Sequence, residues 1–279
     1  MDGGITLRAG EATLRIDPAA GGRVSRLTLG DLDLLAHVDS GSPFHWGSFV
    51  MAPWAGRIRR GRFDFDGRAY RLPLNWDVHA IHGTVVDRAW DVTESAADSA
   101  ALECRFDEQW PWRGFVRHRI TLRDGRADFR LEVHATDEPF PASTGWHPWF
   151  LRRLADRPVE IKLDASAMLL RDSDGIPSGE RVPIPAQPWD DCFDEVRWPV
   201  TLLWPDVLRL DVTASTRYAV VYTEHAEGVC VEPQTGPPDA LTLDPVVVTP
   251  DAPLTATMAW TWRPNRSAAH PSAGASPSP

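Results

Sequence analysis

Apolar and polar residues alternate in short runs along most of the chain, and helical spacing is scarce. Ala127, Phe129, Leu131 and Val133 alternate with Asp128, Arg130, Glu132 and His134, while Ile120 and Leu122 alternate with Arg119, Thr121 and Arg123. A period of two is that of a strand with one buried and one wet face. Asp124-Gly125 lies between the two runs and predicts a hairpin. His134 falls on its polar face and His118 in register with Ile120, so both read as structural. Asp66-Gly67 predicts a second hairpin, flanked by Phe63, Phe65, Tyr70 and Leu72. Short alternating pieces fill residues 5–35, punctuated by Gly10, Gly21, Gly22 and Gly30, and return between residues 159 and 264. Val229 and Val231 alternate with Cys230 and Glu232, which predicts a buried strand ending at Glu232. Residues 41–63 read as an irregular aromatic loop with a basic end. Residues 141–151 read as an extended turn, and 189–194 (W-D-D-C-F-D) as a charged loop. No helix longer than a turn or two is predicted, and no internal repeat.

Composition narrows the picture. The chain has 279 residues, 43% hydrophobic and 24% charged, a balance that can bury a sizeable core. Its net charge of −10 argues against nucleic acid or an anionic membrane surface as a main partner. The 25 prolines are roughly double the average share of about 5% and favour turns over long helices. Thirteen tryptophans supply core filler or flat platforms for sugar rings. Cys104, Cys192 and Cys230 are an odd, widely spaced set without C-x-x-C, which points to a reducing cytoplasm rather than a disulfide framework or zinc ribbon. No signal segment or bilayer-spanning apolar run is present in the sequence. From residue 265 the chain is low-complexity, so the expected organisation is one β domain over 1–264 and a disordered tail over 265–279.

Several positions carry candidate chemistry. Pro233 biases Glu232 toward an extended backbone and fixes the direction of its carboxylate. Half desolvated, that carboxylate suits a general base, and equally a loop cap bonded to backbone N–H groups. His147 lies among Trp146, Trp149 and Phe150, before Pro148. Such surroundings suit a histidine titrating near neutrality, or a core histidine bonded to a carbonyl. His79 and His82 are three apart, but Gly83 and Thr84-Val85-Val86 argue against a helix, so a metal pair is not expected. His82-Gly83 in a loop allows close approach of a ligand. Arg57, Arg59, Arg60 and Arg62 form a basic run in which one side chain could enter a pocket.

Four motifs occur in an order that resembles the aldose 1-epimerase (mutarotase) family: P-W-A-G-R-I followed by G-R-F, then I-H-G-T, then G-W-H-P-W-F, then V-C-V-E-P-Q-T-G-P-P-D-A. The likeness runs from about Gly22 to Arg263. It implies an all-β fold, a large antiparallel β-sandwich with an open sugar-binding cleft. It also implies roles for matching positions. Glu232 resembles the general base at the C1 hydroxyl and His147 the general acid at the ring oxygen. His82 resembles a histidine that binds oxygens near C1, Arg57 an arginine that fixes a sugar hydroxyl, and Asp190 an aspartate that accepts sugar hydroxyls, with Asp191 nearly as good a match. Gly56 departs from the asparagine often found before the arginine. The reaction so implied is anomer interconversion of a free aldohexose, with no metal or other cofactor, a small-molecule sugar as partner, and a cytoplasmic monomer or dimer. A hexose-6-phosphate 1-epimerase, a glycoside hydrolase and a non-catalytic carbohydrate-binding protein are the alternatives. If the segment is strand-like, Arg59 shares the face of Arg57 and is the best second charge for a phosphate.

Overall fold

The computed structural model describes residues 3–37 and 41–265; the tail expected to be disordered lies outside them beyond Asn265. Among the described residues, two antiparallel sheets face each other across one core. The larger has eleven strands. Its path runs Ile5–Ala9, Ala12–Asp17, Arg23–Leu29, Ser48–Met51, Gly145–Leu151, Gly228–Gln234, Tyr218–Tyr222, Asp190–Asp194, Ala167–Arg171, Pro177–Val182, with Leu32–Asp33 added beside Arg23–Leu29. The smaller has eight, in the order Asp91–Ser95, Ser99–Arg105, Gly114–Arg123, Arg126–Ala135, Leu254–Pro264, Leu208–Ala214, Val200–Trp204, Glu160–Lys162. The one α-helix among the described residues is the four-residue Ala240–Leu243. Among the described residues no helix is long and apolar enough to cross a membrane.

The clearest sequence patterns became the hairpins they predict. Gly114–Arg123 pairs with Arg126–Ala135 from Arg123↔Arg126 to Gly114↔Ala135, around Gly125 at φ 70°. Asp66 and Gly67, both at positive φ, turn the chain between Arg62–Phe65 and Arg68–Arg71, as a two-residue hairpin loop requires. Val116, Ile120, Phe129, Leu131 and Val133 of the smaller sheet meet Leu14, Val50, Trp146, Phe150 and Val231 of the larger in one apolar cluster. His118 sits within it at 1% exposure, its Nε2 accepting the Trp146 indole N–H at 3.1 Å. His134 lies on the outer face, stacked on Phe115. Cys104, Cys192 and Cys230 are free and buried.

Three stretches differ from the expectation, for one shared reason. Ser48–Met51, Gly145–Leu151 and Asp190–Asp194 are strands in the middle of the larger sheet rather than loop, turn and charged loop. The strand bearing Glu232 also continues through Pro233 to Gln234 instead of ending at the carboxylate. These strands are covered on both faces, so the alternation that marks a half-wet strand is missing from their sequences.

Candidate active site

Strand parity builds the site. On Gly145–Leu151, Trp146 and Phe150 enter the core between the sheets, which turns His147 and Trp149 to the opposite face. On Gly228–Gln234, Val229 and Val231 point to the core and Cys230, Glu232 and Gln234 point away. On Ser48–Met51 it is Val50 that faces inward, leaving Phe49 and Met51 outside. Three adjacent strands thus present Phe49, His147, Trp149, Glu232 and Gln234 on one surface of the sheet. A pocket of about 190 Å³ lies over it, lined among others by Arg57, His82, His147, Arg171, Asp190 and Glu232. Glu232, His147, His82, Arg57 and Asp190, the five residues to which the resemblance gives roles, therefore line a single cavity, although they come from five separate stretches of chain.

Glu232 and His147 meet directly on the pocket floor. His147 Nε2 stands 3.2 Å from Glu232 Oε1, and the residues are 7% and 3% exposed. The imidazole lies between the rings of Phe49, stacked at 4.6 Å between centroids, and Trp149, stacked at 5.5 Å. His82 stands edge-on to it at 5.1 Å. Gln234 Nε2 donates to Glu232 Oε2 at 3.1 Å, so both carboxylate oxygens are engaged. Burial pushes the Glu232 carboxyl well above its ordinary value, aided by nearby Asp190 and opposed by the Gln234 bond and Arg57. Burial likewise holds His147 well below the usual imidazole value, with His82 and His45 adding to the effect. Each group is driven toward its neutral form, and at 3.2 Å the two can share one proton and titrate as a pair.

The flanking residues are held by specific devices. His82 takes a left-handed backbone, φ 58°, its N–H donating to Gly56 O at 3.0 Å. Such a conformation is rare for histidine and persists only where the surroundings enforce it. Gly83 follows at φ 80°, where any Cβ would sit 1.9 Å from Ala52 O. Burial lowers the His82 pKa to about 3, so the ring is neutral in ordinary buffers. Arg57 donates to Gly175 O at 3.1 Å, reaching across to the turn 172–176. Asp190 and Asp191 both line the pocket and are joined by Arg171, which places Nη1 2.7 Å from Asp190 Oδ2 and Nε 2.9 Å from Asp191 Oδ1. Burial raises the Asp190 carboxyl despite that partner.

Arg59 is not the second pocket charge that strand alternation suggested. The strand pair at Arg57–Ile58 stops after two residues, and Arg60 turns left-handed at φ 52°. Arg59 instead forms ion pairs with Asp172 and Asp174 outside the pocket. His79 accepts the Arg60 backbone N–H and is separate from the His82 chemistry. The donor atoms of His147, Cys230 and Glu232 lie within 4.8 Å of one another, the geometry of a possible cation site. Burial pushes the Cys230 thiol well above its ordinary value, which keeps it protonated while no cation is bound. Arg171 and Gln234 escaped the reading of the sequence. Arg171 finds its partners nineteen and twenty positions on, which no local pattern reports. Gln234 had a signal, since a residue two beyond Glu232 in a strand shares its face.

The sequence model of the aldose 1-epimerase family matches residues 5–258. The chain belongs to the aldose 1-epimerase family. Its fold is shared with the aldose epimerase homologue of C. elegans, at a TM-score of 0.82 and 16% identity over 95% of this chain and 99% of that one. Galactose mutarotase of Sus scrofa is 26% identical over 180 residues, which is 61% of this chain and 51% of that protein. YphB of Escherichia coli, an uncharacterized protein, is 30% identical over 109 residues, 37% of this chain and 36% of YphB. Membership in the epimerase family supports an isomerase activity and leaves the sugar open.

Proposed function

We propose that the protein interconverts the α and β anomers of a free aldohexose by acid–base ring opening and reclosure. The observation that carries this reading is the buried Glu232–His147 contact at 3.2 Å on the floor of a sugar-sized pocket. At about 190 Å³ the cavity is below the ~300–1,000 Å³ typical of drug-sized ligand sites and suits a single sugar ring.

In the productive state the pair's proton resides on His147 and Glu232 is ionised. Glu232 takes the proton from O1 while His147 delivers its own to the ring oxygen. The C1–O5 bond breaks and O1 becomes the carbonyl oxygen. Rotation about C1–C2 presents the other carbonyl face, and the same two transfers run backward on closure. Ring opening thus converts an ion pair into a neutral acid and a neutral imidazole. Those are the forms that burial favours for Glu232 and His147, so the open-chain state returns the pair to its preferred protonation. Each transfer contributes on the order of 10²–10⁴-fold. Neutral His82 and the Arg57 guanidinium serve as donors to sugar oxygens, and the Arg171-held Asp190 as an acceptor.

A neutral sugar is favoured over a sugar phosphate because two of the arginines at or near the pocket are already matched by carboxylates. Arg171 is matched by Asp190 and Asp191, and Arg59 by Asp172 and Asp174. A phosphate binder converges uncommitted donors on the dianion.

Polarimetry of freshly dissolved α-glucose, α-galactose and glucose 6-phosphate tests the reading. Glu232→Gln keeps the shape but cannot accept the proton, and should lose on the order of 10²-fold or more in kcat/KM while folding normally. Wild-type kcat/KM versus pH should be bell-shaped. The acid limb marks uptake of a second proton by the pair, and the basic limb loss of its only one. His147→Asn should abolish the basic limb with most of the rate. Near-normal mutarotation in Glu232→Gln would refute the assignment, and a strong preference for glucose 6-phosphate would refute the substrate class.

A further inference from the structure

We propose that Gln234 is the positioning residue that sets the carboxylate of Glu232 for proton transfer, its amide N–H holding one oxygen so that the other meets the His147 imidazole. The proposal rests on Glu232 acting as the base. Glu232 and Gln234 are two apart in one strand and share the pocket face. The two bonds to the carboxylate are nearly equal, 3.1 Å from Gln234 Nε2 to Oε2 and 3.2 Å from His147 Nε2 to Oε1. Held at both oxygens, the carboxylate has its plane fixed as well as its place, which is what a near-attack geometry requires.

The remaining atoms of Gln234 argue that this bond decides its orientation. The residue is 1% exposed, and its Oε1 is buried without a hydrogen-bond partner among the described residues. A bare buried acceptor is costly. An amide placed for packing or stability alone would turn toward a donor or be replaced by an apolar side chain. Here it keeps its N–H on Glu232 and leaves the carbonyl oxygen unserved. The neighbouring strand makes room for this arrangement. Gly145 is paired with Gln234 in register, and a Cβ there would stand 3.2 Å from Gln234 Cγ and 2.3 Å from Pro233 O. The charge type matters too. A neutral amide steadies the carboxylate without a full positive charge, whereas Lys or Arg at this position would lower its proton affinity and weaken the base.

Two variants separate positioning from packing. Gln234→Met conserves volume and removes both polar atoms. Gln234→Glu conserves shape and replaces the N–H donor by a second carboxyl. Both should fold, as judged by thermal melting. Both should lower kcat roughly 10- to 100-fold with KM little changed, since the contact acts on geometry at the reacting atoms. Both should move the acid limb of kcat/KM to higher pH, because the bond that favours the ionised base is gone, and the Glu variant should move it further. An acid limb at the wild-type position in a folded variant would overturn the proposal, whatever the change in melting temperature; if the Met variant does not fold, the Glu variant decides. Glu232→Gln, measured alongside, distinguishes the two failures. If it is inactive while the Gln234 variants behave as wild type, only the positioning role falls. If it is active, the base assignment falls and the positioning role with it.

Discussion

Gly56 shows how a single residue can look like a lost contact and turn out to be a steric necessity. The family resemblance sets an asparagine beside the arginine, where this chain has a glycine with no side chain to reach a hydroxyl. In the structure Gly56 lies at φ 68°, and a Cβ would approach Cα, Cβ and Cγ of Pro238 to 2.9 Å. Asparagine tolerates left-handed backbone, but the wall of Pro238 does not yield to it. Gly56→Asn should therefore lower stability by about 1–3 kcal/mol, read as a fall in melting temperature, without improving kcat/KM. At this scale the sequence was informative where chemistry follows from parity. Glu232 was assignable to a strand face from Val229 and Val231 alone. The left-handed turn at His82 was not, because nothing in I-H-G-T distinguishes it from an ordinary loop.

Elements were legible where one face meets water. The hairpins at Asp66-Gly67 and Asp124-Gly125 declare themselves through turn residues and alternation. Ser48–Met51 and Asp190–Asp194 do not, since core covers one face and the site covers the other. The basic run was misread for a related reason. Alternation holds only while a strand lasts, and Arg57–Ile58 lasts two residues. The consequence is testable in the element that Arg59 pins. The turn 172–176 sits between Ala167–Arg171 and Pro177–Val182 and carries the Gly175 carbonyl to Arg57. Arg59 ties this turn down through Asp172 and Asp174. Both ion pairs are about one-third exposed, so their loss is worth roughly 0.2–1 kcal/mol. Arg59→Ala should leave kcat unchanged and raise KM for the sugar at most about fivefold. The ratio of kcat/KM for glucose to that for glucose 6-phosphate should not move.

For the whole molecule, the buried histidines couple the fold to pH. His118 bridges the two sheets, and burial lowers its pKa from 6.5 to about 3. The unfolded chain takes up this proton near pH 6.5, the folded chain only near 3. Its contribution is thus intact above the higher value and is lost as the pH falls through the window, by on the order of 4–5 kcal/mol in total. His82 acts in the same direction over the same range. Melting temperature should fall steadily as the pH is lowered from 6.5 toward 3. His118→Gln can still accept the Trp146 N–H but does not titrate, and its melting curve against pH should be visibly flatter there. The residual slope belongs to His82, His147 and the carboxylates.

The place of Gly228–Gln234 in the larger sheet has a consequence for how the chain comes off the ribosome. The strand lies between Gly145–Leu151 and Tyr218–Tyr222, both made before it. Without it the sheet would be left as two halves, each with an unpaired edge in the middle of the protein, the kind of edge that pairs with other chains. The strand that closes this gap is also the one that brings Glu232 to His147. The chemistry therefore waits for a late strand, and the smaller sheet closes later still, when Leu254–Pro264 enters between Arg126–Ala135 and Leu208–Ala214.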